Sequence, residues 1–319
     1  MENLNDNAMN LAPIVLFVYN RAGCTLKTLE HLKQNVLADQ SELFIYSDGP
    51  KADAGEIDLR KITEVRETIR KEKWCKEVHI IESRVNLGLA DSIILGVTEI
   101  VNRYGKVIVL EDDLLTSKHY LEYMNTGLNH YDCHQNVYQI VGYTAPVKTK
   151  FKNKAYFMPM SSTLGWGTWA RAWEYFEKLP SDYDILKTNK ILRRKFNLDN
   201  SYPYSETLIL QMESNVDSWG IRWWWAIFKQ KGISLFPDQS LIAHIGFDNE
   251  ATHTKSLIPD FNKFWNREYS IKEYPQNIKV NRQFYSKIKQ FYRRRNHTPI
   301  FKKLVNRIIR LIKSYSLVK

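Results

Sequence analysis

Three acidic residues, Glu111, Asp112 and Asp113, stand side by side at the end of the apolar run KVIVL (106–110). A short β-branched and aliphatic run of this kind is typical of a buried strand. Neighbouring carboxylates repel one another and are costly to remove from water. The triplet could form a solvated turn that caps a following helix, an acidic phosphotransfer pocket, or a site for a divalent cation that binds a diphosphate.

Polar side chains also follow the other predicted strands. Residues 13–20 end at Asn20 and Arg21, residues 42–48 end at Asp48, and residues 77–83 are followed by Arg84 and Asn86. In parallel sheets, ligands bind beyond the carboxyl ends of the strands, where such residues meet. The basic Arg21 near three acids favours the cation and phosphate interpretation over a simple turn.

Strand and helix patterns alternate through the first 140 residues. Helices are predicted at 25–35, 56–73 and 91–103, between the strands at 13–20, 42–48, 77–83 and 107–110. This alternation predicts an α/β fold with a parallel sheet covered on both faces. The sequence contains neither GxGxxG nor GxxxxGK[ST], which disfavours a common dinucleotide fold and a P-loop.

The ordered motifs resemble glycosyltransferases of the GT-A fold, in particular the N-acetylglucosaminyltransferase I type and related bacterial sugar transferases. The resemblance rests on PIVLFVYNR, IYSD, VNLGL, VIVLEDDL and STLGW, followed by a Trp-rich segment with an Asp, and covers roughly residues 12–255. It implies a Rossmann-like, mixed but mostly parallel sheet flanked by helices. Residues 1–150 would form the nucleotide-sugar-binding half of the domain and residues 151–272 the acceptor and catalytic half.

The resemblance also implies roles for the residues at the strand ends. Asp113 would ligate Mn²⁺ or Mg²⁺, Asp112 would contact the ribose, and Glu111 would contact the donor sugar. Arg21 would lie near the diphosphate and Asp48 near the base or ribose, with Asn86 also on the donor side. A cation and polar nucleotide groups between the carboxylates would explain how the acids tolerate one another.

Catalytic and acceptor residues are expected in the second half. Asp217, in VDSWGIRW, is the candidate base that deprotonates the acceptor hydroxyl, and Glu213 is the second choice. Asp217 could equally cap a helix that begins near Ser218. Trp166 and Trp219 are candidate acceptor contacts, although tryptophans are more often core residues.

A histidine is expected to complete the metal site. His244 and His253 flank IGFDNEAT, and many GT-A enzymes take a metal ligand from a histidine after the last core strand. His253 is the predicted ligand, because related sequences keep a GFD…TH pattern. A structural histidine is the competing interpretation for each of them.

The positive charge is concentrated at the end of the chain. The formal net charge is +11, and residues 274–319 contain 13 Lys and Arg but no acid, which leaves 33 basic and 35 acidic residues before them. Residues 298–314 carry an apolar stripe opposite basic residues, which predicts an amphipathic helix on an anionic membrane surface. Packing on the domain and dimer formation are the alternatives, and nucleic-acid binding is not expected because no recognisable module is present. Residues 273–319 are therefore predicted to be a basic helical tail.

The sequence as a whole predicts a metal-dependent, inverting glycosyltransferase of hexosyl or N-acetylhexosaminyl type. It would move a sugar from a nucleotide-sugar donor, UDP-linked by preference, to a glycan or lipid-linked acceptor in bacterial surface polysaccharide synthesis. A polar N-terminus and three widely spaced cysteines indicate a cytoplasmic protein, which the basic tail would hold on the inner face of the plasma membrane. The alternatives are a sugar-phosphate nucleotidyltransferase and a non-catalytic glycan-binding protein on the membrane surface.

Overall fold

The structure, a computed structural model, describes residues 10–150, 152–213, 218–246 and 262–296. The described strands are β1 (Ile14–Val18), β2 (Glu42–Ser47), β3 (Glu77–Glu82), β4 (Lys106–Glu111), β5 (Leu114–Thr116), β6 (Val137–Val141), β7 (Ala155–Met158), β8 (Trp166–Trp169), β9 (Ile233–Pro237) and β10 (Ile242–His244). The described helices are α1 (Ala22–Lys33), α2 (Glu56–Arg70), α3 (Leu89–Tyr104), α4 (Tyr120–His130), α5 (Ala170–Trp173), α6 (Ile185–Thr188), α7 (Lys190–Phe196), α8 (Tyr204–Glu213), α9 (Trp219–Lys229) and α10 (Arg282–Asn296).

The first half of the chain forms its elements where the sequence pattern places them. All five residues of β1 are buried, as a central strand covered on both faces requires. Helix α3 buries the face that contains Ile93, Val97 and Ile100. It ends at Gly105, which has a φ of 79° and donates its N–H to the Val101 carbonyl, a left-handed cap that glycine adopts readily.

One sheet organises both halves of the protein. Among the described residues, eight strands pair in the order β3-β2-β1-β4-β8-β6-β9-β7. The pairs within β3-β2-β1-β4 and the β6–β9 pair are parallel, whereas β8 runs antiparallel to both β4 and β6, and β7 antiparallel to β9. The predicted fold class, a mixed and mostly parallel sheet flanked by helices, is confirmed.

The reversed direction of β8 matters for the site. Trp166, the first residue of β8, lies opposite Val109 near the end of β4 and opposite Val141 at the end of β6. The segment that precedes β8 therefore reaches the edge of the sheet at which β1, β2 and β4 end. We call this edge the carboxyl edge.

A second sheet consists of β5 and β10. These strands are antiparallel, and His244 at the end of β10 lies opposite Leu114 at the start of β5. Because Leu114 directly follows the acidic triplet, this pairing fixes the histidine beside the acids. The contact joins segments that are more than a hundred residues apart in the chain.

Residues 273–296 pack on the folded body, although the sequence assigned them to a tail. Glu273 and Val280 bridge to the segment around β7, and Phe284 and Ile288 of α10 are buried in the common core. The amphipathic segment 298–314 lies outside the described residues, so its predicted membrane binding stays a prediction.

Candidate membrane-spanning helices are absent from the part of the chain that the structure describes. None of the helices there is both long enough and apolar enough to cross a bilayer.

Replacing Ile288 by alanine tests whether α10 belongs to the folded body. Ile288 is 1% exposed, so its truncation should lower the free energy of unfolding by about 2–5 kcal/mol in chemical denaturation. The matched change Ile191→Ala removes the same atoms from a side chain that is 74% exposed. It should alter stability by about 0.5 kcal/mol or less. Equal, small effects of both changes would contradict the packing of α10.

Candidate functional site

A cavity of about 350 Å³ opens at the carboxyl edge between the ends of β1, β2 and β4 and the start of α3. We call it the strand-end cavity. It is lined by all five residues that the sequence placed on the donor side: Arg21, Asp48, Asn86, Glu111 and Asp112. These residues come from four separate segments, and the parallel order of β2, β1 and β4 is what brings them together.

The Arg21 guanidinium neutralises two of the three acids. Its Nη2 atom donates a hydrogen bond to Oδ1 of Asp112 and lies 2.9 Å from Oδ2 of Asp113. Both aspartates are buried, whereas Arg21 remains about one-third exposed. Burial alone would lower the pKa of Arg21, but the charges of Asp112 and Asp113 outweigh it and raise that pKa.

The third acid avoids the repulsion by keeping its proton. Burial, together with the charges of Asp113 and Asp112, raises the pKa of Glu111 to about 8 despite the nearby Arg21. Burial also raises the pKa of Asp112 to about 6, although Arg21 opposes the shift. At neutral pH Glu111 therefore keeps its proton and can donate a hydrogen bond into the cavity.

Asp48 organises the loop that precedes α3. Its Oδ1 accepts hydrogen bonds from the backbone N–H groups of Gly49 and Leu87, both at 2.8 Å. Its Oδ2 accepts from the Asn86 side chain at 2.9 Å and from the Gly88 N–H at 3.0 Å. Both carboxylate oxygens therefore bind protein groups, and Asp48 shapes the wall of the cavity.

Gly49 allows the same loop to approach β2 closely. A Cβ atom at this position would lie 2.5 Å from the backbone nitrogen and oxygen of Val85, closer than any side chain tolerates. The approach is held by the Asn86 N–H, which donates to the Pro50 carbonyl at 3.0 Å. The glycine of IYSDG is thus explained by packing of backbone on backbone.

Asp113 and His244 form the pair best suited to a metal ion. Asp113 Oδ1 lies 3.6 Å from His244 Nε2, and a Cβ at Gly246 would lie 2.2 Å from Asp113 Oδ2. Oxygen and nitrogen ligands that share an ion at ~2.1 Å each stand roughly 3–3.5 Å apart, close to this separation. The two side chains therefore fit a divalent cation. The predicted ligand His253 stays a prediction. His253 lies outside the described residues.

A second grouping of possible metal ligands lies elsewhere. Glu42, Glu77 and His79 converge among the described residues, but Glu42 and Glu77 begin β2 and β3 and so lie at the opposite edge of the sheet. His79 Nε2 is 2.8 Å from Glu42 Oε1, and its ring stacks on Phe44. This group has no connection with the strand-end cavity.

A second cavity of about 350 Å³ lies on the other half of the carboxyl edge. We call it the tyrosine cavity, because Tyr143, Tyr202, Tyr204 and Tyr292 line it. Hydroxyl groups from the segment that precedes β8 and the guanidinium of Arg295 complete its wall. A wall of hydroxyls and aromatic rings is suited to a carbohydrate.

The structure places the predicted acceptor and catalytic residues in different surroundings. Trp166 and Trp219 are buried and stack on each other with ring centroids 5.4 Å apart, so both are core residues in this structure and neither is an exposed sugar platform. Glu213 is exposed and pairs with Lys187 at 2.5 Å. Asp217 lies outside the described residues, but its neighbour Ser218 lines the tyrosine cavity.

Sequence reasoning missed the tyrosines as a group. They come from the segment after β6, from the start of α8 and the residues just before it, and from α10, and no spacing along the chain links them. The sequence did single out His244 as a polar residue at the end of an apolar run, Ile242–His244. The structure shows that this run is β10, which pairs with β5 directly after the acids.

Comparison with known proteins gives similarity of fold. No family profile and no curated protein matches the chain. The crystal structure of GalNAc-T7 with UDP, GalNAc and Mn²⁺ aligns at a TM-score of 0.48 and 12% identity, over 75% of this chain and 44% of that one. The crystal structure of S. aureus TarS aligns at a TM-score of 0.36 and 9% identity, over 74% of this chain and 37% of that one. The apo form of mouse xyloside xylosyltransferase 1 aligns at a TM-score of 0.36 and 7% identity, over 69% of this chain and 82% of that one.

The chain spans less than half of the GalNAc-T7 and TarS structures. None of these three is of the N-acetylglucosaminyltransferase I type, so that closer resemblance stays a prediction. At these identities the likeness concerns the course of the chain and not its substrate.

Replacing Arg21 by glutamine should destabilise the metal-free protein. Two buried aspartates would lose their countercharge, and because Arg21 is one-third exposed the cost should be about 1–3 kcal/mol near pH 7. The loss should shrink as the pH falls and Asp112 takes up a proton, because protonation removes the repulsion that Arg21 screens. Thermal unfolding in chelator across pH 5–8 measures this.

Arg66→Gln is the control, since Arg66 pairs with a single, more exposed acid, Glu82. It should show a smaller and less pH-dependent effect. A pH-independent loss for Arg21→Gln would contradict the proposed role of its charge.

Proposed function

We propose that this protein is a metal-dependent glycosyltransferase that takes a sugar from a nucleotide-sugar donor. The observation that supports it best is the strand-end cavity, where an arginine, three acids and a hydrogen-bonded loop meet beside the Asp113–His244 pair. A cavity at the carboxyl ends of parallel strands is the common place for nucleotides in such sheets.

The cation would be held by Asp113 and His244. Both side chains offer ligand atoms that Mn²⁺ or Mg²⁺ accepts, with the carboxylate as the harder donor. A bound divalent cation would neutralise charge that develops on the leaving nucleoside diphosphate.

The chain's own residues would complete donor binding. Arg21 lies beside the same carboxylates, so its guanidinium can turn from Asp113 towards a phosphate oxygen while it keeps its bond to Asp112. Glu111 lines the cavity and can form a hydrogen bond with a hydroxyl of the donor sugar, and the Asp48–Gly88 loop closes the side wall. Together these groups would bind the donor, orient it and exclude water.

Asp217 would deprotonate the acceptor hydroxyl. Its neighbour Ser218 lines the tyrosine cavity, whereas the alternative, Glu213, is neutralised by Lys187 on an exposed surface. A single base that activates the acceptor is the arrangement of an inverting transferase. The acceptor would be a glycan or a lipid-linked glycan, and the setting bacterial surface polysaccharide synthesis.

The short loop between β1 and α1 disfavours the nucleotidyltransferase alternative. Such an enzyme would normally carry a Gly-rich, basic loop after its first strand. Here β1 ends at Val18 and α1 begins at Ala22, which leaves only Tyr19, Asn20 and Arg21 between them.

Asp113→Asn should abolish metal-dependent nucleotide binding. The amide keeps the shape of the side chain but removes the charge that holds the cation, so UDP affinity in Mn²⁺ should fall to its value in chelator. Calorimetric titration of UDP with and without Mn²⁺ measures this, with Asp39→Asn, an exposed acid, as the control. Unchanged Mn²⁺-dependent affinity in Asp113→Asn would rule out this ligand.

Asp217→Asn should lower turnover by roughly two or more orders of magnitude, the usual scale for loss of a general base. UDP affinity should stay near normal, because Asp217 acts on the acceptor. Glu213→Gln is the matched control and should keep nearly full turnover in a screen of UDP-sugars for transfer and hydrolysis. If the two variants exchange these results, the base is Glu213. A wild-type protein that binds UDP without turning over any donor would favour the non-catalytic alternative.

A further inference from the structure

The outward face of α7 carries an apolar side chain among basic ones. Leu192 and Phe196 turn towards the core, so Ile191, Arg194 and Lys195 share the opposite face at helical spacing. Ile191 is 74% exposed, and Ile185 of α6 is 46% exposed. These two side chains thus place exposed apolar surface on adjacent helices, beside the basic residues of α7.

The charge of this face is largely uncompensated. Among the described residues, Lys190, Arg193 and Lys195 take part in no ion pair. Arg194 lies 3.6 Å from Asp199, a weak pair at an exposed position. The fifth basic residue, Lys187, is neutralised by Asp184 and Glu213, each at 2.5 Å.

Helix α10 extends the basic surface. Lys289 Nζ lies 2.6 Å from Asp199 Oδ2, and Arg293 Nη2 donates to the Asp199 carbonyl at 3.1 Å. Asp199 follows α7 closely, so these contacts place the last turns of α10 beside the end of α7. Helix α10 contains six Lys and Arg side chains and no acid, and Lys279 lies just before it: the six are Arg282, Lys287, Lys289, Arg293, Arg294 and Arg295.

An apolar groove opens behind the face. A cavity of about 970 Å³ lies between α7 and α9, and the rings of Trp224, Trp225 and Phe228 line it together with Leu192 and Ile185. Lys195, Lys229 and Lys231 line the same groove beside Asp182, Asp184 and Asp199, and Asp182 pairs with Lys229. The groove itself is therefore of mixed charge, and the excess positive charge lies on α7. Exposed apolar side chains among lysine and arginine, as on α7, are the composition that binds the boundary between lipid headgroups and acyl chains.

We propose that the α7 face, defined as Ile185, Lys190, Ile191, Arg193, Arg194 and Lys195, docks on the surface of an anionic lipid bilayer. Ile191 and Ile185 would enter the interface while the basic side chains contact acidic headgroups. The choice of a membrane over a protein partner rests on charge, because within residues 185–195 every charged side chain is positive. The proposal depends neither on transferase activity nor on the C-terminal segment.

Vesicle co-sedimentation of the full chain tests this, with phosphatidylcholine vesicles and with vesicles that also contain phosphatidylglycerol. Arg194→Gln with Lys195→Gln should weaken partitioning to the acidic vesicles about tenfold or more, since each basic side chain near such a surface contributes about 1 kcal/mol. Ile191→Ser should weaken it several-fold at both low and high salt, whereas the charge contribution should fade as salt shortens the Debye length.

Matched variants on α2 are the controls. Arg60→Gln with Lys61→Gln removes the same net charge, and Ile57→Ser removes an isoleucine that is 68% exposed. Both should bind vesicles like the wild type. Equal binding by the α7 and α2 variants would overturn the proposal.

Two further outcomes would assign the face to another occupant. If Ile191→Ser changes the oligomeric state in size-exclusion chromatography and no variant alters lipid binding, the face is an interface between two copies. If Ile191→Ser lowers the melting temperature without affecting lipid binding, another segment of the chain covers the face. Either result would contradict docking on lipid, whatever the outcome of the UDP experiments.

Discussion

The ion cluster of Arg21, Asp112 and Asp113 is the constraint on which the site depends. Two adjacent aspartates can be buried at the end of a core strand only if a cation compensates them, and Arg21 does so from the loop between β1 and α1. In the register of β1 against β4, Phe17 lies opposite Glu111, so the residues after β1, including Arg21, lie level with the residues after β4, Asp112 and Asp113. A shift of one residue would turn the side chains of β1 to the other face and separate the charges.

The cluster also links the two sheets. Thr28 of α1 donates to the Asp112 carbonyl at 2.9 Å, and the Ile245 N–H donates to the Asp113 carbonyl at 2.9 Å. The acidic turn is therefore held from α1 on one side and from the end of β10 on the other. This anchoring fixes the position of His244 relative to Asp113, so their proximity is a consequence of how the small sheet closes over the acids.

The sequence was sufficient for features that follow from local pattern. The alternation of strand and helix patterns predicts the elements of the first half. Because parallel strands end at the same edge of a sheet, the sequence also predicts that Arg21, Asp48 and the acidic triplet meet there. It was insufficient where the same residue type serves two purposes. A tryptophan such as Trp166 is equally suited to a core or to a sugar platform, and only its position between β4 and β6 decides for the core.

Distant pairing was the other obstacle. His244 follows an apolar run, but the sequence does not show what that run pairs with. The antiparallel contact of β10 with β5 brings His244 beside the acids, because it lies opposite Leu114. Helix α10 presented the same difficulty. Its many basic residues suggested an exposed helix, although Phe284 and Ile288 are buried. The bridges from the residues before it to the segment around β7 join distant parts of the chain, so local sequence patterns do not predict them.

The tyrosine cavity and the α7 face are structurally connected through two shared elements. Trp224 lines both the tyrosine cavity and the apolar groove. Helix α10 gives Tyr292 to the tyrosine cavity, while Lys289 on the same helix meets Asp199 beside α7. A chain docked through the α7 face would therefore hold its tyrosine cavity near the bilayer. That arrangement suits an acceptor with a hydroxyl-rich head and a hydrocarbon tail better than a glycan free in solution, because one molecule could reach hydroxyl, aromatic and apolar surfaces in turn.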